Sequence, residues 1–222
     1  MKYVRNERGN AVFFMVWLLG VVAIIFLIVL NLAKVFIVKE HANLSVEQAA
    51  LAGTAAIIER TKEAVSQFDS GPESVAQRVL DGGKSIGEMI EEKEADYIAS
   101  GASKSDAYIK AANEILPPRL QIHPLLKISF RNRLGNDSSD LYGIASAAIQ
   151  EIIAANEANI EDTEILVDED DWRLEVKSTA TFQSISDNKY IQNILADIPQ
   201  RGYGPSLAYL ESVYSGGHPI FP

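Results

Sequence analysis

Carboxylates are the side chains in this sequence most able to do chemistry. Glu161 and Asp162 precede a denser run, Asp168, Glu169, Asp170 and Asp171. A hard cation such as Ca²⁺ gathers about six to eight oxygen ligands. An acidic turn could offer several of them, with Asp168, Asp170 and Asp171 as the candidate ligands. The spacing is not that of an EF-hand loop, and four acids at a turn equally suit a solvated tip built on Asp turn chemistry. A wet hairpin tip without a metal is therefore expected. His41, His123 and His218 stand far apart, and none has a metal-type or triad-type partner at motif spacing. No glycine-rich phosphate loop follows a strand pattern, since Gly82 and Gly83 lie between helical patterns. No pair of carboxylates sits in an apolar setting that would divide them into acid and base. The sequence predicts no catalytic residue, no cofactor and no enzymatic activity.

The elements that would carry these residues begin with an apolar one. Ala11 to Leu30 are twenty consecutive residues without a charge, about 30 Å of α-helix, which matches the hydrocarbon core of a bilayer. Residues 11–33 are expected to form a transmembrane helix. Before them Lys2, Arg5 and Arg8 face only Glu7, so residues 1–10 read as a basic cytoplasmic leader by the positive-inside rule. A cleaved secretory signal fits less well, because its apolar core is shorter and Asn31 occupies the third position back from a cut after Ala33. The rest of the chain is then extracytoplasmic. Of 222 residues with a net charge of −10, the leader carries +2 and the remainder −12. That acidic balance argues against nucleic acid as a partner, because phosphate binding needs clustered Lys and Arg. The absence of cysteine excludes disulfides and thiolate metal sites.

Beyond the membrane the helical pattern continues. Ile37, Leu44, Leu51, Ile58 and Val65 recur every seven residues and no proline precedes Pro72, which predicts an amphipathic stalk helix over residues 34–69. Within it Ala49, Ala52, Gly53 and Ala56 belong to a stretch of small side chains, the expected surface where a neighbouring element approaches the helix closely. Asp69 to Pro72 break the helix. Residues 70–118 read as two or three short helices separated by Gly82, Gly83 and Gly101 and ended by Pro117 and Pro118. Residues 119–222 read as an α+β head. A strand is expected at Leu126, Ile128 and Phe130. A helix should follow, started by Ser138 or Ser139, with Leu141, Ile144, Ala148, Ile152 and Ala155 as its apolar stripe. An antiparallel hairpin should join Glu164–Val167 to Trp172–Ser184, whose alternation turns Trp172, Leu174, Val176, Ser178, Ala180 and Phe182 inward. A short helix at Lys189–Ile198 and a Gly- and Pro-rich tail complete the pattern, with Tyr203, Tyr209 and Tyr214 packed on the sheet.

A basic leader, a membrane helix prolonged as a stalk and an α+β head form the layout of type IV pilin-like proteins. Glu7, Arg8, Gly9, Asn10, Ala11 and Val12 resemble the Glu-Arg-Gly-x-Ala opening of TadE/TadG-like proteins of the tight-adherence (Flp) pilus system. The run Glu47 to Gly53 resembles the Ala-Ala-Leu-Ala-Gly that follows the membrane helix in that family. The resemblance spans residues 5–58. It implies a pilin-like fold, a bacterial minor pilin or pilus-assembly component, and processing between Gly9 and Asn10. Such a cut would make Phe14 the fifth residue, where prepilin peptidase substrates generally carry glutamate. Larger relatives hold a metal-binding Asp-x-Ser-x-Ser, which Asp137 to Leu141 does not match. The implied partners are the membrane, other pilus or secretion-system assembly proteins, and further copies through the N-terminal helix. An alternative from a different class is a membrane-tethered extracytoplasmic sensor or binding module unrelated to pili.

Overall fold

The computed structural model describes residues 7–156, 158–181 and 197–214. Helix α1, Glu7–Asp69, is one unbroken rod of 63 residues, about 95 Å long. Five helices follow: α2 (Glu73–Leu80), α3 (Ile86–Ala99), α4 (Lys104–Ile122), α5 (Pro124–Leu134) and α6 (Asp140–Ala155). Three strands, β1 (Glu164–Asp168), β2 (Arg173–Thr181) and β3 (Asp197–Tyr203), and a last helix, α7 (Tyr209–Tyr214), complete the described chain. The strands form an antiparallel sheet in the order β1-β2-β3. The molecule is thus α-rich with a small sheet, an α+β arrangement.

The sheet registers Ile165 opposite Val176 and Val167 opposite Leu174 across β1 and β2, and Val176 opposite Gly202 across β2 and β3. Leu174, Val176 and Ser178 are buried, as the alternation of β2 predicts, while Phe182 lies outside the described residues. Their inward face meets the second half of α1 together with α6, and one hydrophobic core runs on from there through α3, α4, α5 and α7. Asp69, the last residue of α1, accepts hydrogen bonds from the backbone of Ile86 and Gly87 and so holds the start of α3. Ser85 and Glu88 complete that start with a reciprocal capping box.

Several elements differ from the sequence expectation. The strand expected at Leu126, Ile128 and Phe130 is helix α5, which buries Leu126, Ser129, Phe130 and Leu134 and exposes Ile128. Residues four apart share a face in both periodicities, so 126 and 130 fit either, and only the burial of Ser129 and Leu134 separates them. Pro117 and Pro118 lie inside α4 rather than at its end. Each removes a backbone hydrogen bond, but Leu116 and Leu120 on either side are fully buried and hold the helix in place. In α6 the buried stripe is Leu141, Ala145, Ile149 and Ile153, while Ala155 is exposed. Ser139 occupies the start without a side-chain cap. Asp140 serves there instead, accepting from the backbone of Asn136 and Asp137. Ile198, expected to end a helix, belongs to β3, and residues 189–196 lie outside the described residues. Pro199 is tolerated in β3 because that strand is at the sheet edge.

Candidate helix-packing interface

The stalk half of α1 is buried along a face of small residues. Ala42, Ser45, Val46, Ala49, Ala50, Gly53, Thr54, Ile57, Thr61 and Ala64 are all buried, recurring at three- and four-residue steps. The heptad read from the sequence is not this face. Ile37, Leu44 and Leu51 are exposed, Ile58 is half-buried, and only Val65 is buried. Of the four small residues singled out, the structure buries Ala49 and Gly53 and leaves Ala52 and Ala56 half-buried. The contact surface is therefore rotated from the expected stripe, because what decides it is how near the sheet backbone must come, not which side chains are largest.

Strand β3 sets that distance. A Cβ added to Gly202 would lie 2.3 Å from the carbonyl of Val46, and one on Gly204 would lie 2.2 Å from Thr54 Oγ1. The strand and the loop after it thus rest directly on the α1 backbone, which only glycine permits. On a neighbouring side of α1, a Cβ on Gly53 would collide with Ile149 of α6 and Leu174 of β2. Gly202 and Gly204 escaped the sequence reading. Their i, i+2 spacing next to a strand was a usable signal, since it puts two side-chain-free positions on one face.

Several of the polar groups trapped by this close packing find partners, whereas the buried Ser45 hydroxyl has none among the described residues. Thr54 donates to the Ala50 carbonyl at 2.8 Å, and Ser129 of α5 donates to the Ala64 carbonyl at 2.8 Å. Thr61 and the Tyr209 hydroxyl share a buried hydrogen bond of 2.8 Å that ties α7 to α1. Burial raises the Tyr209 hydroxyl above the usual tyrosine value, partly offset by Thr61, and burial likewise raises Tyr108. Tyr209 also meets Phe130 edge-on, and Tyr214 stacks on Trp172 at 5.7 Å. Tyr203 is more exposed and lies under the Arg173 guanidinium.

The acidic hairpin tip is organised by one cation. Arg173 reaches Asp168 at 3.1 Å and Asp171 at 2.9 Å, while Asp168 also accepts from the Asp170 backbone. Two of the three candidate metal ligands are thereby engaged by an arginine. Among the described residues no three His, Cys, Asp or Glu side chains converge as metal ligands would. His41 is exposed on α1, and His123, between α4 and α5, has Nε2 3.8 Å from Asp81. His218 lies outside the described residues. Gly9 and Asn10 stand in the opening turns of α1. Comparisons of the chain with protein-family models, with curated proteins and with solved structures return no match.

From Val12 to Val29, α1 has no such packing among the described residues. Large apolar side chains from Val12 to Val29 are exposed on every side, and this stretch is long and apolar enough to cross a membrane.

Proposed function

We propose that this chain is a non-enzymatic, single-pass membrane protein, a TadE/TadG-like minor pilin or pilus-assembly component of pilin-like architecture. Its leader lies in the cytoplasm and its head outside the membrane. The observation that carries this reading is the continuity of α1: a helix apolar on all faces passes without a break into a stalk on which the α+β head is packed. The Glu7 to Val12 and Glu47 to Gly53 sequences add the specific resemblance. In this reading the protein works by holding geometry. The rigid stalk fixes the head at a set height above the bilayer, and the membrane half of α1 meets the helices of assembly partners. Basic Lys2, Arg5 and Arg8 retain the leader on the cytoplasmic side.

Two measurements test it. Protease added to intact spheroplasts should digest the head while a cytoplasmic control survives, and a protected head would overturn the orientation. Detergent-solubilised protein should co-purify with inner-membrane pilus-assembly proteins. Recovery with a sensor kinase or a transporter instead would replace the pilus reading with that of a tethered sensor.

A further inference from the structure

Where α1 passes from its apolar run to the head, two sides of the helix change character at different heights. The side under the head is covered a long way down. Ala42 is buried, Val35 and Val38 are half-buried, and Asn31 is 6% exposed, its side-chain amide donating to the Leu27 carbonyl at 3.0 Å. Strand β3 descends on this side. Gly204 lies at Ala50 and Thr54 and Gly202 at Val46, so the strand runs on past Val46 toward the membrane end of α1, by as much as about 17 Å at Asp197. β3 is a sheet edge, and open sheet edges do not occur within the hydrocarbon of a bilayer. On this side the hydrocarbon has to end below the strand, close to Asn31 and Val35.

The opposite side stays apolar farther up. Leu32, Phe36 and Ile37 are 56%, 65% and 59% exposed, and they stand roughly 100–140° round the helix from Asn31. Glu40 is the first charge among them. Lys34 is half-buried and lies only about 60° from Asn31, where its long side chain can carry the ammonium up to the headgroups. In an upright helix both sides leave the hydrocarbon at one level, which puts either Phe36 and Ile37 in water or the foot of the sheet in lipid. A lean removes that conflict. Length asks for the same thing, since Val12 to Ile37 makes about 37 Å of helix against about 30 Å of hydrocarbon, and an overlong span is accommodated by tilt.

We propose that α1 crosses the bilayer at a lean of roughly 20–40°, with its Leu32, Phe36 and Ile37 side turned down into the acyl chains and the head carried on the upper side. The lipid-contacting surface then reaches Ile37, about two turns past Leu30. At the height of the head, the lean brings one flank of the rod toward the bilayer. Leu51, 53% exposed on the lower side, lies nearer the lipid than Gln150, which is exposed on α6 next to the Ile149 that packs at Gly53. The lean rests on the membrane anchoring proposed above and adds its direction.

The cysteine-free chain allows one label per molecule. Full-length Leu51→Cys and Gln150→Cys proteins, each carrying a fluorophore and reconstituted in vesicles with a headgroup acceptor in both leaflets, should differ severalfold in energy transfer, Leu51 giving the more. Adding Phe36→Lys with Ile37→Lys ends the apolar side lower down and should bring the two transfers together. Nitroxides at Phe36→Cys and Ile37→Cys should be relaxed by dissolved oxygen, and one at Glu40→Cys by a water-soluble nickel chelate. Equal transfer from the two sites, greater transfer from Gln150→Cys, an unchanged ratio with the two lysines, or nickel reaching positions 36 and 37 as readily as 40 would each overturn the lean. Alkaline extraction of the same vesicles reports anchoring separately. Release of the protein overturns the anchoring reading and the lean with it, whereas retention with equal transfer overturns the lean alone.

Discussion

The two halves of α1 share one helix and opposite rules of side-chain size. From Val12 to Val29 the residues are large, apolar and exposed all round, and Gly20 has nothing within 4 Å of where a Cβ would be. From Ala42 to Ala64 the buried residues are mostly small, while the large Leu44 and Leu51 face outward. Burial in lipid rewards apolar area on every face, because the surroundings are fluid and conform to any shape. Burial against a sheet rewards fit. The partner is itself close-packed, and an added methylene must displace backbone.

The largest effect should come from charging the two halves in turn. Ile24→Asp combined with Ile25→Asp places two carboxylates near the middle of the apolar run, costing about 2.5–3.5 kcal/mol each on the insertion scale. Alkaline extraction and flotation should then find the protein outside the membrane fraction, whereas Leu44→Asp with Leu51→Asp should leave it there. Equal behaviour of the two pairs would dissolve the distinction between the halves.

Next in size is one substitution made twice. Gly202→Ala drives a Cβ into the Val46 carbonyl and should cost about 2–3 kcal/mol, read as a lower urea midpoint in detergent. Gly20→Ala should leave that midpoint unchanged. Ala49→Leu should follow Gly202→Ala, and Ala55→Leu, on the exposed side of α1, should follow Gly20→Ala.

A smaller effect is expected at the polar contact inside the head. Thr61→Val leaves the Tyr209 hydroxyl buried without its partner and should lower stability by about 1–3 kcal/mol. Adding Tyr209→Phe should recover part of the loss, and a fully additive double variant would show that the 2.8 Å bond contributes nothing.

The smallest effect concerns the start of α3. Hydrogen bonds from the Ser85 backbone and hydroxyl hold the Glu88 carboxyl below the usual carboxylate value. Its contribution is then present above the ordinary glutamate value and lost as pH falls through that value toward the lower folded one. Urea midpoints of the native protein and Glu88→Gln should differ at pH 6 and converge near pH 3. A constant gap would remove the capping box as the cause.

Much of the fold was legible because its signals are local. The charge-free run, the lack of proline up to Pro72, the break at Asp69 to Pro72 and the alternation of β2 each depend on residues near one another, and each has its counterpart in the structure. The α5 strand reading failed where a five-residue window could not separate two periodicities. The candidate interface was half legible. The Ala and Gly stretch was visible, but its buried side was not, because the exposed Leu44 and Leu51 carried the stronger apolar signal.

By itself the sequence determined that the N-terminal helix is long and apolar enough for a bilayer, that it continues as a rod to Asp69, and that β2 has one inward face. Helix propensity and apolar periodicity act over a few residues and need no partner to be read. Only the tertiary structure decided which side of the stalk is covered, that β3 lies on Val46 and Thr54, and that Arg173 organises the acidic tip. Those outcomes, the tip apart, depend on residues as far separated as Ala64 and Ser129 or Val46 and Gly202, 65 and 156 positions apart, meeting at van der Waals or hydrogen-bond distance, and the closest approach is set by glycines in one element against backbone in another. A one-dimensional pattern records each partner's chemistry but not the distance at which packing brings them together.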